Sequence, residues 1–315
     1  MTDPGHEPTA RADLDDTARL LHEVFPIAKF EDARYLEWFY RRNPTGAAIE
    51  IDRVEDDLRL GHVGGIPQEY HSTATTRMSV FPLNLAVAES GRGRGLMTEM
   101  NEACFEEARR RYGIDMMVAM PNAASTRGYT GRLRFRLVGP LPVVLCPPVW
   151  PSTVVVESHH VTADYLASPG FDRLAESLSY APGPALSHRW TAALLRWRLA
   201  SPASSYAVHA SDRAVIVTTV ERRAGIPVAV VVKTFRRGEP GRVDANGVVA
   251  AACRFHRAPV ALYGGFSAAT RIIGVPLPDR LRPAPLNLCV RRFDDRDDSP
   301  DPRLDTFEMF DFDPF

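Results

Sequence analysis

Apolar residues recur at helical spacing from Asp13 to Phe25, where Leu14, Ala18, Leu21 and Phe25 share one face and Asp13 or Asp15 can cap the first turn. The ten residues before it are polar, with Pro and Gly, and read as a frayed end. Phe30 to Arg42 repeats the helical pattern with Tyr35, Trp38 and Phe39 as its stripe, and the breaker run Asn43-Pro44-Thr45-Gly46 stops it. The pattern then shortens to that of strands. Ala47 to Arg53 and Leu58 to Ile66 flank the acidic turn Glu55-Asp56-Asp57, and Arg77 to Ala88 is a third strand with Pro82 marking a bulge or a local loss of pairing. A helix from Leu96 to Tyr112 carries Leu96, Met100, Ala103, Cys104 and Ala108 on its apolar face. Ile114 to Met120 reads as a buried strand, Ser125 to Arg132 as a short helix start and Phe135 to Leu145 as an extended segment. Strands alternating with helices predict an α/β layer fold.

Pro147-Pro148-Val149-Trp150-Pro151 is a stiff, proline-rich break and divides the chain into 1–150 and 151–315. Beyond it, Thr153 to Glu157 is strand-like, and helices are expected near Phe171 to Leu178 and Arg189 to Leu199. Strands follow at Tyr206 to Ala210, Ala214 to Glu221, Val228 to Phe235 and Val260 to Tyr263. Residues 294–302 are acidic and proline-bearing, as a loop is, and Phe307 to Phe315 alternates aromatic and acidic positions like an edge strand. A faint repeat links the halves. Tyr35 to Pro44 recurs as Leu194 to Pro202, each a tryptophan-bearing helix end running into a proline.

Composition changes this picture little. At about 100–200 residues per domain, 315 residues predict two domains. The net charge of −1 offers no electrostatic reason to expect nucleic acid or an anionic membrane as partner. No apolar run approaches the roughly 18 residues needed to span a bilayer, and no basic stretch followed by an apolar one marks a leader. Cys104, Cys146, Cys253 and Cys289 lie far apart, so neither a zinc site nor any other metal site is expected. These features fit a protein of the reducing cytoplasm.

The richest chemistry lies in Leu85-Ala86-Val87-Ala88-Glu89-Ser90-Gly91-Arg92-Gly93-Arg94-Gly95-Leu96-Met97. A buried strand feeds a loop of glycines and arginines, and the loop opens a long helix. Glycines permit φ > 0 and close approach of the backbone. The first helical turn points free N–H groups at an anion, and the helix dipole favours it. Arg92 and Arg94 add positive charge. The spacing is not the G-x-G-x-x-G of a dinucleotide site, and no Gly-Lys-Ser/Thr of a Walker A loop follows.

These residues resemble the GNAT acyltransferases, whose coenzyme A loop reads Arg/Gln-x-x-Gly-x-Gly/Ala. Arg92-Gly93-Arg94-Gly95-Leu96-Met97 matches it except that Met97 stands where a small residue is usual. Downstream, Met120 to Ser125 looks like the end of the family's next strand and the start of its next helix. Gly131 to Gly139 looks like its following segment, with Arg134 in place of a glycine. The Trp38…Asn43-Pro44 run and the closing Asp311-Phe312-Asp313-Pro314-Phe315 look like tandem-GNAT proteins. The resemblance implies two GNAT-like lobes, each a mixed, splayed sheet flanked by helices. Residues 1–150 would form the catalytic, acyl-CoA-binding lobe. Residues 151–315 would form a degenerate lobe, because Arg236 to Arg242 lacks the loop pattern.

It also implies the chemistry: transfer of an acyl group, acetyl first among them, from acetyl-CoA or another acyl-CoA to the amine of a small-molecule acceptor. Leu85, Ala86 and Val87 would meet the pantetheine arm, Arg92 to Met97 the diphosphate, and Asn122 and Ser125 the cofactor near its thiol. The family's thiolate-protonating tyrosine falls at Thr130, with Tyr129 one residue away, so either Tyr129 does the job after a local bulge or the chain lacks that acid. Glu69, His71 and Glu50 are candidate bases, as is the terminal carboxylate of Phe315. The competing expectation is a coenzyme A-binding or scaffolding protein of the same fold without turnover.

Overall fold

In the computed structural model the described residues are 14–148, 154–238, 240–278, 282, 286–293 and 302–312. In the first half, α1 (Leu14–Val24) and α2 (Arg34–Leu36) precede β1 (Ile49–Glu55), β2 (Leu58–His71) and β3 (Thr76–Val87). Next come α3 (Leu96–Tyr112), β4 (Met116–Ala119), α4 (Ala123–Arg127), β5 (Arg136–Pro140) and β6 (Val143–Cys146). The second half opens with β7 (Glu157–His160), α5 (Ala163–Leu166), α6 (Pro169–Ser177), β8 (Leu186–His188) and α7 (Ala192–Leu199). It continues through β9 (Ala207–Ala210), β10 (Ala214–Arg223), β11 (Ile226–Arg236), β12 (Val243–Asp244) and α8 (Asn246–His256). It closes with β13 (Ala261–Phe266), β14 (Thr270–Arg271), β15 (Val275–Pro276), β16 (Asn287–Arg292) and β17 (Leu304–Glu308). Among the described residues, no helix is long and apolar enough to cross a membrane.

The two halves are built alike and exchange a strand. The first sheet runs β2-β3-β4-β16-β5, so the strand beside β4 comes from the second half. Correspondingly, β11 pairs with β13, β13 with β6 and β6 with β15, so the strand beside β13 comes from the first half. The extended segment expected from Phe135 to Leu145 is therefore two strands, β5 in one sheet and β6 in the other. The sheets join along one hydrogen-bonded path through β8 and β17, by two-residue contacts such as Tyr70↔His188 and Gly265↔Glu308.

Among the described residues, three apolar cores follow from this arrangement. One lies under α3 and includes Val63, Met100, Phe105, Met117 and the exchanged Cys289. A second lies under α8 and includes Ile216, Val231, Val249 and the exchanged Cys146. The largest lies between the halves and gathers Tyr70, Phe81, Trp190, Phe307 and Phe310. The sequence repeat is visible in this shared core. Trp38 and Trp197 stack with centroids 4.9 Å apart, and each indole nitrogen donates to the other's carbonyl at 3.2 Å. Reciprocal contact of equivalent residues is what a two-fold relation produces.

Several local expectations need correction. The helix expected from Phe30 to Arg42 is interrupted: α2 is followed by a π-helical turn, Glu37–Arg41, whose extra width lets Trp38, Phe39 and Tyr40 all be buried. β2 runs past Ile66 to His71, with Pro67 inside it. Pro67 lies where β1 pairing has ended at Gly65 and β8 pairing begins at Tyr70, so its missing N–H interrupts no ladder there. Pro82 is in register opposite Gly65. The bulge lies beyond it, between the pairs Gly64↔Leu83 and His62↔Ala86. The closing aromatic–acidic run is not an edge strand: β17 lies between β8 and β13, and a 3₁₀ turn, Met309–Asp311, buries behind it. Its alternation places phenylalanines in the shared core and puts Glu308 and Asp311 on the buried Lys233, each at 3.0 Å.

Candidate functional site

β3 and β4 pair in parallel over only two positions, Ser79↔Met116 and Val80↔Met117. β3 then continues to Val87 and β4 to Ala119, so the strands splay. The β2 side of β3 stays paired, through His62↔Ala86 and Gly61↔Val87, and among the described residues no ladder forms on the β4 side of Leu85, Ala86 and Val87. Asn84 is the bulge residue, with φ 53°. Asparagine tolerates this left-handed conformation better than most side chains do.

The loop leading to α3 is built to stay open. Gly91 is buried, and a Cβ there would lie 3.0–3.1 Å from Leu96, Val87 and the Leu60 carbonyl. Gly93 and Gly95 have φ 77° and 84°, and a Cβ on either would meet nothing within 4 Å. Gly95 caps α3 without any side-chain hydrogen bond. The Arg92 amide donates to Glu89 O, and those of Thr98 and Glu99 donate back to Gly95 O. The amides of Gly93 to Met97 lie between these bonded groups. Arg94 turns away to Glu55 at 2.6 Å, and Arg92 stays exposed. Met97 packs toward Gly128, where a Cβ would stand 2.6 Å from its methyl carbon, so its bulk is housed beneath α4.

α4 begins at Asn122, whose Oδ1 accepts from the Ser125 amide and hydroxyl, both at 3.0 Å. Asn122 and Ser125 are thus brought together as a helix cap. α4 runs into a π-helical turn, Gly128–Arg132, closed by the Leu133 amide on Gly128 O. A π turn holds one residue more than an α turn. Thr130 faces out and bonds Thr126 O, while Tyr129 is buried and donates to Asn101 Oδ1 at 3.4 Å. Burial pushes the Tyr129 pKa upward, so its hydroxyl holds its proton. Arg134, at the position where the resembled segment has glycine, takes φ 55°.

Of the remaining base candidates, Glu69 and His71 lie toward the far end of β2, whereas Glu50 lies opposite Gly64 on β1. Glu69 lies opposite Met78, six residues before Asn84, which is about 20 Å along a strand. It pairs with Arg189 at 2.6 Å. His71 lies opposite Thr76, further still, and lines a cavity of about 300 Å³ with Tyr180, Asp305 and Arg236. Burial and then the Arg189 charge lower its pKa. Neither residue lies beside the Asn84 bulge. Phe315 lies outside the described residues. Glu50 is half-buried with its pKa raised by burial, and its Oε2 is buried without a hydrogen-bond partner.

A constellation not singled out in the sequence does reach the bulge. Asp52 Oδ1 contacts His62 Nδ1 at 2.7 Å, His62 Nε2 contacts the Tyr40 hydroxyl at 2.9 Å, and Asn84 Nδ2 donates to that hydroxyl at 2.9 Å. Burial pushes the Asp52 carboxyl up, but His62 and then Arg59, at 2.6 Å, outweigh it and hold the pKa below the ordinary range. Gly64 is required by this arrangement, since a Cβ would lie 2.6 Å from the Tyr40 hydroxyl. The only sequence signals were an asparagine and a histidine inside apolar strands, where such residues are depleted or need partners. Among the described residues, no group of three or more histidine, cysteine or acidic side chains is arranged to hold a metal.

No protein-family profile and no curated protein sequence matches the chain. Solved structures do. A GCN5-related N-acetyltransferase from Anabaena variabilis aligns at TM-score 0.59 and 12% identity, covering 90% of this chain and 71% of that one. Eis1 from Mycobacterium abscessus aligns at 0.54 and 11%, covering 90% and 72%. Saccharomyces cerevisiae N-myristoyltransferase with bound myristoyl-CoA aligns at 0.51 and 9%, covering 90% and 80%. At such identities the likeness is one of architecture, and the chain has the GNAT fold.

Proposed function

We propose that this GNAT-fold chain is an acyl-CoA-dependent N-acyltransferase whose donor site lies in residues 1–150 and whose acceptor is a small-molecule amine. The observation that carries this reading is the contrast between two helix starts. α3 opens uncapped behind Gly93 and Gly95, with open space on the loop. In the second half α8 opens on Asn246, whose amide and Nδ2 both donate to Asp244 Oδ1 at 2.9 Å. A helix N-terminus attracts a diphosphate when its amides are free. A carboxylate already seated there repels one.

In this reading the amides of Gly93 to Met97 and the Arg92 guanidinium take the diphosphate of coenzyme A. The open edge of Leu85 to Val87 takes the pantetheine arm as a strand takes a neighbour, and its amides polarise the thioester carbonyl. The neutral amine attacks the carbonyl carbon, the carbon–sulfur bond breaks, and Tyr129 gives its proton to the departing thiolate. The surplus proton of the amine leaves to solvent, and solvent returns one to the Tyr129 oxygen to restore the acid. Holding donor and acceptor together contributes much of the rate. The Asn122 cap leaves its Nδ2 for the cofactor near its thiol.

The test is thiol release from acetyl-CoA and longer acyl-CoAs in the presence of a panel of primary amines, with product masses recorded. Acylated amine is the expected product. Coenzyme A binding without amine-dependent thiol release would instead identify a cofactor-binding protein without turnover.

A further inference from the structure

The hydrogens along the Asp52–His62–Tyr40–Asn84 chain follow from one another when the imidazole is neutral. An ionised Asp52 only accepts, so His62 Nδ1 carries its hydrogen and donates across the 2.7 Å contact. Nε2 then has only a lone pair and takes the Tyr40 hydroxyl at 2.9 Å. The Tyr40 oxygen, having donated, accepts from Asn84 Nδ2 at 2.9 Å. The Asn84 amide is thereby held in one orientation. Its Oδ1 takes no hydrogen bond among the described residues. Tyr40 and His62 are wholly buried, whereas Asn84 is half-buried. Asn84 is therefore the member of the chain placed to meet a substrate.

The face matters as well. A Cβ on Gly61 or Gly65 of β2 would run into Met100 or Cys104 of α3, so the odd-numbered positions face the α3 side. His62 and Gly64 face the other side, where Tyr40 lies. Asn84 reaches Tyr40 and so turns to the face opposite the α3 loop. Donor and acceptor approach a splayed site from opposite faces if the amine is to attack a thioester held between the strands.

We infer that Asn84 Oδ1 accepts a hydrogen bond from the attacking nitrogen and orients its lone pair toward the thioester, and that Asp52, His62 and Tyr40 are positioning residues that fix this amide. The inference rests on the acyl-transfer reading of the splay. A carboxamide does not readily pass a proton along, so the chain orients the amine and does not deprotonate it. The same N–H chemistry is available from the pantetheine amides of the donor, and the face on which Asn84 lies favours the amine.

The test uses the full chain, with acetyl-CoA and whichever amine of the panel is turned over. Asn84→Gly removes the amide and keeps a residue suited to the positive φ. Losing one hydrogen bond should raise KM for the amine by about five- to tenfold, with calorimetric affinity for coenzyme A changed less than about twofold. Tyr40→Phe should raise KM for the amine in the same direction by a smaller factor. The double variant should match Asn84→Gly alone, because Tyr40 acts through Asn84. A purely structural chain would lower the melting temperature of Tyr40→Phe and leave both KM values unchanged, and that result overturns the inference. Loss of coenzyme A affinity in Asn84→Gly overturns it too, by assigning Oδ1 to pantetheine. A wild-type protein that releases no thiol with any amine removes the acyl-transfer reading itself, and the positioning role with it.

Discussion

Gly95 combines the two properties an anion site needs from one residue: φ 84°, and no protein atom within 4 Å of where a side chain would start. Replacing it with Glu puts bulk and negative charge where the diphosphate would sit. Like charges a few ångströms apart in a partly desolvated cleft repel by several kcal/mol, and affinity for coenzyme A should fall by orders of magnitude in a calorimetric titration. Gly241, with φ 125° and equally open, is the control. Gly241→Glu carries similar backbone strain in the other half and should leave the affinity within about twofold. Tyr129→Phe should lower acyl transfer by at least about tenfold, toward the ~10²–10⁴ range of a lost general acid, with coenzyme A affinity nearly unchanged. Wild-type turnover in that variant would assign the proton to water. At this scale legibility follows sequence separation. The loop from Arg92 to Met97 is contiguous, so its residues announce it. Asp52, His62, Tyr40 and Asn84 are 10, 22 and 44 positions apart along their bonds, and only strand register brings them together.

Elements succeed or fail by what covers them. α3 follows its apolar stripe because one face meets β1, β2 and β3 while the other meets solvent, which is the situation periodicity encodes. The π-helical turns at Glu37–Arg41 and Gly128–Arg132 break the 3.6-residue period to bury consecutive or offset aromatics, and no periodic template anticipates them. β9 carries a further consequence. His209 is held between Ser158 at 2.8 Å and Thr218 at 2.9 Å, and Thr218 reaches His256 on α8 at 2.7 Å. Burial, then the neighbouring His256 and His160, push its pKa down from 6.5 to about 3. Between those values the unfolded chain binds a proton that the folded chain refuses, so this contribution to stability is complete above pH 6.5 and falls as pH drops toward 3. Denaturant midpoints should therefore decline from pH 7 to pH 5, and His209→Gln should flatten that decline. An unchanged slope in the variant would place the acid sensitivity elsewhere.

Over the whole molecule the decisive feature is the reciprocal strand exchange. The α3 core includes Cys289 and the α8 core includes Cys146, so each is completed by a residue from the opposite half. Residues 1–150 alone would leave β4 with a bare edge where β16 pairs from Cys289↔Ala119 to Arg292↔Met116. Expressed alone, this fragment should show no cooperative unfolding transition by circular dichroism, where the full chain shows one. A cooperative transition in the fragment would make the exchange dispensable. The joint between the halves is closed by charge as well as by aromatics. Lys233, one of the chain's two lysines, contacts Glu308 and Asp311 inside it, and His188 and Trp190 also meet Asp311, at 3.2 and 2.7 Å.

The α/β class, the strand–loop–helix at Arg92 to Met97, the repeat pairing Trp38 with Trp197 and the strand nature of Ala214 to Glu221 were all readable from the chain, because each depends on neighbours within a few residues or on a local period. The strand exchange, the interior position of β17, the one-residue π insertion that turns Tyr129 inward and the Asn84 bulge were not. Each depends on which distant strand lies alongside, and two strands of similar apolar pattern compete equally for an edge until packing in three dimensions decides between them.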